Sequence, residues 1–406
     1  MRLLDVFLAR QPIFDNKNQV YGYEILYRDG EKNSFSETDG DYASISVLTR
    51  CFIDFGIEEM THGKKAFVNF TEELLKNDVA TIFPQKYLVV EILENVLADR
   101  DIIECCKDLK DMGYMLAIDD FTFQEGYKEL IDIVDIIKVD FTISSEKERF
   151  DIINNYKREG LKFLAEKVET YDEYYKAMEM GYSYFQGYYF SKPEINSKKK
   201  IVPYKESHMK LIKLLDSEEH EFNNIVEIIE NDVAFSYEIL KLVNSSYYSR
   251  KFKIKSIRQA IVSLGTIEIK KWIYLAFIRQ LNQDKPEEII NTSILRGKFM
   301  ENIAIKAGKE DLGSELLTLG MFSMIDVLMN KDIEEIFKEI NFSDNLRSII
   351  TKQQTDGFQA KCFDLALKYE KGKWQDIEPM LAEIGLSISE LNEAYFNSIA
   401  WLQGIK

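Results

Sequence analysis

Histidine is almost missing from this chain: His62, His208 and His220 are the only three in 406 residues. Zinc hydrolases and Ser-His-Asp sites both draw on histidine, and none of the three stands among the clustered acids described below, which argues against both chemistries. Cysteine is scarce too. Cys51, Cys105, Cys106 and Cys362 show neither C-x-x-C spacing nor the framework of a secreted domain. The adjacent Cys105 and Cys106 read as two reduced thiols on a helix, because neighbouring residues seldom reach relaxed disulfide geometry. No Gly-rich phosphate loop of the Walker or dinucleotide type is present. No run approaches the roughly 18 continuous apolar residues that a membrane span needs. The opening MRLLDVFLARQPIF is interrupted by Asp5 and Arg10 and has no small-residue cleavage site, so a cytoplasmic location is expected. Positive charge is in deficit, 52 Lys and Arg against 69 Asp and Glu, a net −17. That balance argues against unspecific nucleic-acid binding, which relies on clustered cations. A small anionic ligand would need a local cation, most simply a metal held by the surplus carboxylates.

At 406 residues the chain is long enough for two domains, and its 46% apolar content is ample for two cores. The first 195 or so residues alternate β-rich runs with amphipathic stretches. The runs are FLARQPIF, YGYEILYR, KAFVNF, YLVVEIL, MLAIDDF, IIKVD, KFLAEKV and SYFQGYYFS. Between them lie segments such as ADRDIIECCKDLKDMG, where Ile102, Ile103, Cys106, Leu109 and Met112 recur at helical spacing before Gly113. Alternation of this kind predicts a parallel sheet, and eight strands apolar through their middles predict an α/β barrel of the (β/α) TIM-like type. Lys198, Lys199, Lys200 and Pro203 read as a solvated connector. Beyond it the strand signal gives way to helical periodicity, with Ser256 capping one helix, Gly265 ending it and Thr266 starting the next. The expected division is residues 1–197 for the barrel and 198–406 for an all-α domain.

Reactive groups of a (β/α) barrel sit at the C-terminal ends of its strands. Here those ends carry Glu24, Asn69, Glu91 with Glu94, Asp119 with Asp120, Lys138 with Asp140, Glu166 with Glu169, and Gln186. One acid ending a strand is usually a cap or a surface group. Several at one rim repel and raise each other's pKa unless a cation neutralises them. A hard divalent ion, Mg²⁺ or Mn²⁺, is the economical explanation, and adjacent Asp119 and Asp120 suit a two-metal site. Metal-assisted phosphodiester hydrolysis is the reaction class that remains.

In order along the chain, RQPIFD, EILYR, VNF, VEILE, IDDF, IIKVD, AEKVE and FQGYYFSKP resemble the motifs of the EAL family of cyclic-di-GMP phosphodiesterases. The resemblance covers roughly residues 5–195. It implies metal ligation by Glu24, Asn69, Glu91, Asp119, Asp120 and Glu166. Lys138 and Glu166, supported by Gln186, would orient and deprotonate the attacking water. Gln11 and Arg28 would contact the cyclic dinucleotide, and Glu94 and Glu169 would brace the loop after Asp120. The product would be the linear dinucleotide pGpG.

That loop departs from the family pattern. DDFTFQEGYKEL places Thr122 and Phe123 where the family has a Gly-Thr-Gly turn, leaving Gly126 alone, and Lys167 replaces a glycine in AEKVE. The helical half resembles the HDOD module, and with no histidine after His220 it lacks the His-Asp metal set of an HD hydrolase. Its helix–Gly265–helix unit, rich in Ile267, Ile269, Trp272 and Ile273, suits a packed core better than a DNA-binding turn. A bacterial signalling protein is therefore expected. The altered loop favours a barrel that binds metal and cyclic-di-GMP with weak or lost hydrolysis, and an HDOD protein-interaction output. The retained acids favour an active phosphodiesterase. The resemblance also implies a homodimer.

Overall fold

The structure, a computed structural model, describes residues 6–29, 57–93, 95–121, 127–189, 211, 214–215, 222–231, 233–244, 254, 256–280, 286–339 and 343–405. Glu94, the loop residues Thr122, Phe123 and Gly126, the connector Lys198–Lys200 with Pro203, His208, His220 and Cys51 lie outside these residues, as do the side chains of Arg28 and Ile267. The chain divides into two compact units, Met1–Phe190 with Tyr369–Trp374, and Ser191–Lys368 with Gln375–Lys406.

The first unit is a closed eight-stranded barrel in sequential order. Its strands are β1 (Val6–Asp15), β2 (Val20–Asp29), β3 (Lys65–Phe70), β4 (Leu88–Ile92), β5 (Met115–Ile118), β6 (Ile136–Asp140), β7 (Lys162–Glu166) and β8 (Tyr184–Gln186). The helices between them are α1 (Ile57–Thr61), α2 (Glu72–Lys76), α3 (Arg100–Asp111), α4 (Lys128–Ile133), α5 (Glu146–Tyr156) and α6 (Tyr171–Met180). From β2 to β8 neighbours run parallel, but β1 is antiparallel to both β2 and β8. The parallel sheet expected from the sequence is corrected there, and the cause is local. Only Asn16–Gln19 separate β1 from β2, whereas a parallel crossover needs about a dozen residues or more. Asp15 shapes the turn, its carboxylate accepting from the Lys17 and Gln19 backbone N–H groups at 2.8 and 2.9 Å.

Helix α3 shows how the amphipathic stretches fold. Asp99 caps it by accepting from the Ile102 N–H, and Ile102, Ile103, Cys106 and Leu109 turn inward. Met112, expected on the same face, instead ends the helix and is 50% exposed. Cys105 and Cys106 are free thiols, and burial pushes the Cys106 thiol up to about 12.

The barrel interior is layered. Ile13, Phe67, Val89, Ala117, Ile136 and Leu164 form a buried apolar cluster, with Tyr21, Met115 and Tyr184 against it. Side chains alternate along a strand, so the inward-facing position after each of these is two residues on. On the parallel strands those positions read Asn69, Glu91, Asp119, Lys138, Glu166 and, after Tyr184, Gln186; on antiparallel β1 the matching position is two residues before Ile13, at Gln11. One apolar layer closes the barrel and the next layer is polar.

The second unit is helical: α7 (Phe222–Glu230), α8 (Val233–Val243), α9 (Ile257–Leu264), α10 (Thr266–Gln280), α11 (Glu287–Lys306), α12 (Gly313–Phe322), α13 (Ile325–Met329), α14 (Ile333–Glu339), α15 (Asp344–Ile350), α16 (Phe358–Glu370), α17 (Trp374–Ile384) and α18 (Ile388–Gly404). Ser256 caps α9, and Ile269, Trp272 and Ile273 of α10 are buried, as a packed helix requires. The 20-residue α11 lies against α12 and α18. Gly297 and Gly320 make the first of these contacts possible, because a Cβ on Gly320 would stand 2.4 Å from the Gly297 Cα. Among the described residues no helix is long and apolar enough to cross a membrane.

Candidate functional site

Lys138 stands at the centre of the polar layer. Its ammonium lies 2.8 Å from Glu91 Oε1, 2.7 Å from Asp119 Oδ1, 2.9 Å from Glu166 Oε1 and 3.8 Å from Glu24 Oε1. These acids come from or directly follow β4, β5, β7 and β2, so ordinary strand geometry gathers what the sequence spreads over more than 140 residues. Lys138 and Glu91 are fully buried, and Glu166, Gln186 and Glu24 are nearly so. Gln186 donates from Nε2 to Glu24 Oε2 and, at 3.1 Å, to Gln11 Oε1. Asn69 lies in register with Glu91 on the neighbouring strand, placing both on one face.

The electrostatics follow from four carboxylates around one ammonium. Burial pushes the Glu91 and Glu166 carboxyls well above the usual carboxylate range, although Lys138 draws both downward. Burial also works to lower Lys138, but Asp119, Glu166, Glu24 and Glu91 together hold it well above the ordinary lysine value. Four carboxyl groups thus share one ammonium in this cluster. Asp120 adds to it: its backbone is left-handed, φ 40°, and burial, then Asp119, raises its carboxyl.

Oxygens of Asp119, Asp120 and Glu166 can lie within 4.8 Å of one another. Asp120 Oδ1 and Glu91 Oε2 are buried and have no hydrogen-bond partner. An all-oxygen set with unpaired, buried carboxylate oxygens fits a hard divalent cation.

Other expected residues stand apart or incompletely described. Glu169 is exposed, and its backbone N–H donates to the Glu173 carboxylate at 2.8 Å. Arg28 occupies β2 opposite Phe7. Two residues carry more than the sequence reading gave them. Asp140 is buried, accepts from the Thr142 N–H and hydroxyl, both at 2.6 Å, and pairs with Lys167. Lys167 adopts a left-handed backbone, φ 54°, which its ammonium's bond to Asp140 accompanies. Burial alone would lower this lysine, yet Asp140 and Asp120 keep it raised. The signal was available: Lys167 follows Glu166 directly, and its strand neighbour β6 ends in Asp140.

A closed barrel with an acid-rich, lysine-centred mouth, joined to a second, helical unit, defines a two-part protein. Residues 4–193 match the EAL domain family and residues 201–357 match the HDOD domain family. The chain is 40% identical to the uncharacterized protein YuxH of Bacillus subtilis (strain 168) over 410 residues, 98% of this chain and 98% of that protein. It is 30% identical to the cyclic di-GMP phosphodiesterase CdgJ of Vibrio cholerae serotype O1 over 402 residues, 98% of this chain and 93% of that one. A solved structure of Klebsiella pneumoniae BlrP1, a manganese/cy-diGMP complex, shares 21% identity with a TM-score of 0.39, covering 47% of this chain and 56% of that chain. The protein belongs to the EAL family, as a member in which an HDOD domain follows the EAL domain.

Proposed function

We propose that the barrel is a metal-dependent phosphodiesterase that opens cyclic-di-GMP to the linear dinucleotide pGpG. The observation that carries this is the convergence of Glu24, Glu91, Asp119 and Glu166 on Lys138, beside an Asp120 oxygen that no protein group satisfies. The full-length likeness to a protein named as a cyclic di-GMP phosphodiesterase supports the same reading.

Glu24, Asn69, Glu91 and Asp119 would hold one Mg²⁺ or Mn²⁺, and Asp119, Asp120 and Glu166 a second. Such ions polarise phosphoryl oxygens and make bound water acidic. The chain's own residues do the rest. Glu166, its carboxyl raised by burial, is suited to take the proton of the attacking water. Lys138 stays charged and orients that water while steadying the negative charge that grows on the phosphoryl oxygens. Gln186 fixes the Glu24 carboxylate with its Nε2 and leaves Oε1 without a partner, as a support for the water. Gln11 and Arg28 would contact the dinucleotide, Arg28 suiting a phosphate or a guanine edge. Glu94 and Glu169 would brace the loop that follows Asp120.

A second reading rests on that loop. Thr122 and Phe123 resist backbone angles that glycines permit, which favours a barrel that binds cyclic-di-GMP and turns it over weakly or not at all. In both readings the HDOD half, from about residue 198, is the output that engages a protein partner in the cytoplasm, and a homodimer is the working assembly. The deciding experiment incubates purified protein with cyclic-di-GMP and Mg²⁺ or Mn²⁺ and separates the products chromatographically, with Glu24→Ala as control. Linear dinucleotide from the wild type alone is the expected result. No product at high enzyme and long times, with saturable nucleotide binding retained, would establish the receptor instead.

A further inference from the structure

The helical unit holds a cavity of about 530 Å³, within the usual size of small-molecule sites. It is built between α10, α11, α12 and α18, and none of the residues assigned to the barrel chemistry lines it. Its interior is polar in an unusual way. Lys271 and Lys298 both reach the Glu301 carboxylate, Lys298 at 2.7 Å, and Lys271 also meets Glu268 at 3.2 Å. The side chains of Lys298, Lys271 and Glu301 are only 12%, 15% and 8% exposed. Keeping three charges this dry is costly, and apolar residues of similar volume often do as well or better for stability.

The donors are not used up. An ammonium carries three N–H groups. Lys298 places one on a protein acceptor and lies over the Trp401 ring at 5.3 Å, and Lys271 places two, so among the described residues one N–H of Lys271 and one of Lys298 are left over. The first turn of α12 opens on the same space: Gly313 and Ser314 line it, and the N-cap Leu312 supplies no side-chain cap. A helix N-terminus adds partial positive charge to that of the ammoniums. At the mouth the sign reverses. Glu310 and Asp311 line the cavity, are exposed, and pair with no cation among the described residues. Trp272, Leu275 and Leu317 add apolar surface to the lining of the same cavity.

We propose that this cavity binds a free amino acid with an apolar side chain. The α-carboxylate takes the spare N–H groups of Lys298 and Lys271 at the α12 N-terminus, the α-ammonium faces Glu310 and Asp311, and the side chain lies on the apolar surface at Trp272. A simple anion would meet the acidic mouth, and a simple cation would leave the inner donors unfilled. Only a ligand carrying both charges answers both zones. The helical unit thereby becomes a sensor as well as an output module, independently of whether the barrel turns over its own ligand.

Isothermal titration of the full chain with leucine, isoleucine, methionine, phenylalanine and tyrosine tests this, with phenethylamine and 3-phenylpropionate as analogues lacking one charge each. Saturable one-to-one binding of at least one amino acid is expected, with both analogues at least about tenfold weaker. Lys298→Met should weaken binding by at least about tenfold, as a charged hydrogen bond is lost. Asp311→Asn, at an exposed position, should weaken it severalfold. Absence of binding by all five amino acids at millimolar concentration, or binding that both variants leave unchanged, overturns the proposal.

Discussion

Gly187 follows Gln186 directly, and no other residue fits there. Its φ is 146°, and a Cβ would stand 2.2 Å from the Val168 carbonyl oxygen and 2.4 Å from the Val168 nitrogen. Gly187→Ala should therefore cost more than about 3 kcal/mol of barrel stability, read by chemical denaturation, since neither clashing atom can rotate away. A loss below about 1 kcal/mol would mean that β8 shifts freely, and with it the Gln186 side chain. Many of the site residues were legible in the sequence because they stand two places after an inward apolar residue: Phe67 before Asn69, Val89 before Glu91, Ile136 before Lys138. What the sequence did not carry was the centre. Strand order and register, not spacing, bring Glu24, Glu91, Asp119 and Glu166 around Lys138. Lys167 was visible only as a departure. Its partner Asp140, 27 residues earlier, becomes its neighbour through the parallel pairing of β6 with β7.

Helices α10 and α11 are joined by the Lys271–Glu301–Lys298 cluster, and its titration has a definite sign. Burial would raise the Glu301 carboxyl, but Lys298 and Lys271 overcome this and hold it below the usual range. A carboxyl depressed in the folded state contributes stability above its unfolded pKa and loses it as pH falls through the folded pKa. Glu301→Gln should thus destabilise the helical unit by about 3 kcal/mol at neutral pH, since it leaves Lys298 without its carboxylate and Lys271 with Glu268 alone. The gap to the wild type should narrow as the pH is lowered into and below the ordinary carboxylate range, followed by urea denaturation at stepped pH. A gap that stays constant would mean the cluster acts through shape alone. At this scale the alternating pattern identified every barrel strand, and the cap at Ser256 and the stop at Gly265 marked α9 and α10. The direction of β1 was not legible. Apolar alternation reads the same from either end, and only the length of the Asn16–Gln19 link carries the distinction.

Across the whole chain the excess of acid outweighs any single pair. A net charge of −17 repels itself in the compact state, and added salt screens that repulsion within about 10 Å at 0.1 M. Raising NaCl from low to physiological strength should lift the thermal midpoint of the metal-free protein by a few degrees, in differential scanning calorimetry. A falling midpoint would show that exposed attractive pairs such as Arg100–Glu104 dominate over the net repulsion. The antiparallel entry of β1 has a practical sequel. Because β2 runs toward the chemistry with its later residues, the four-residue turn before it lies at the closed end of the barrel, on the far side of the apolar layer. A fluorophore or a short epitope spliced into that turn would report on the barrel without entering the polar layer around Lys138.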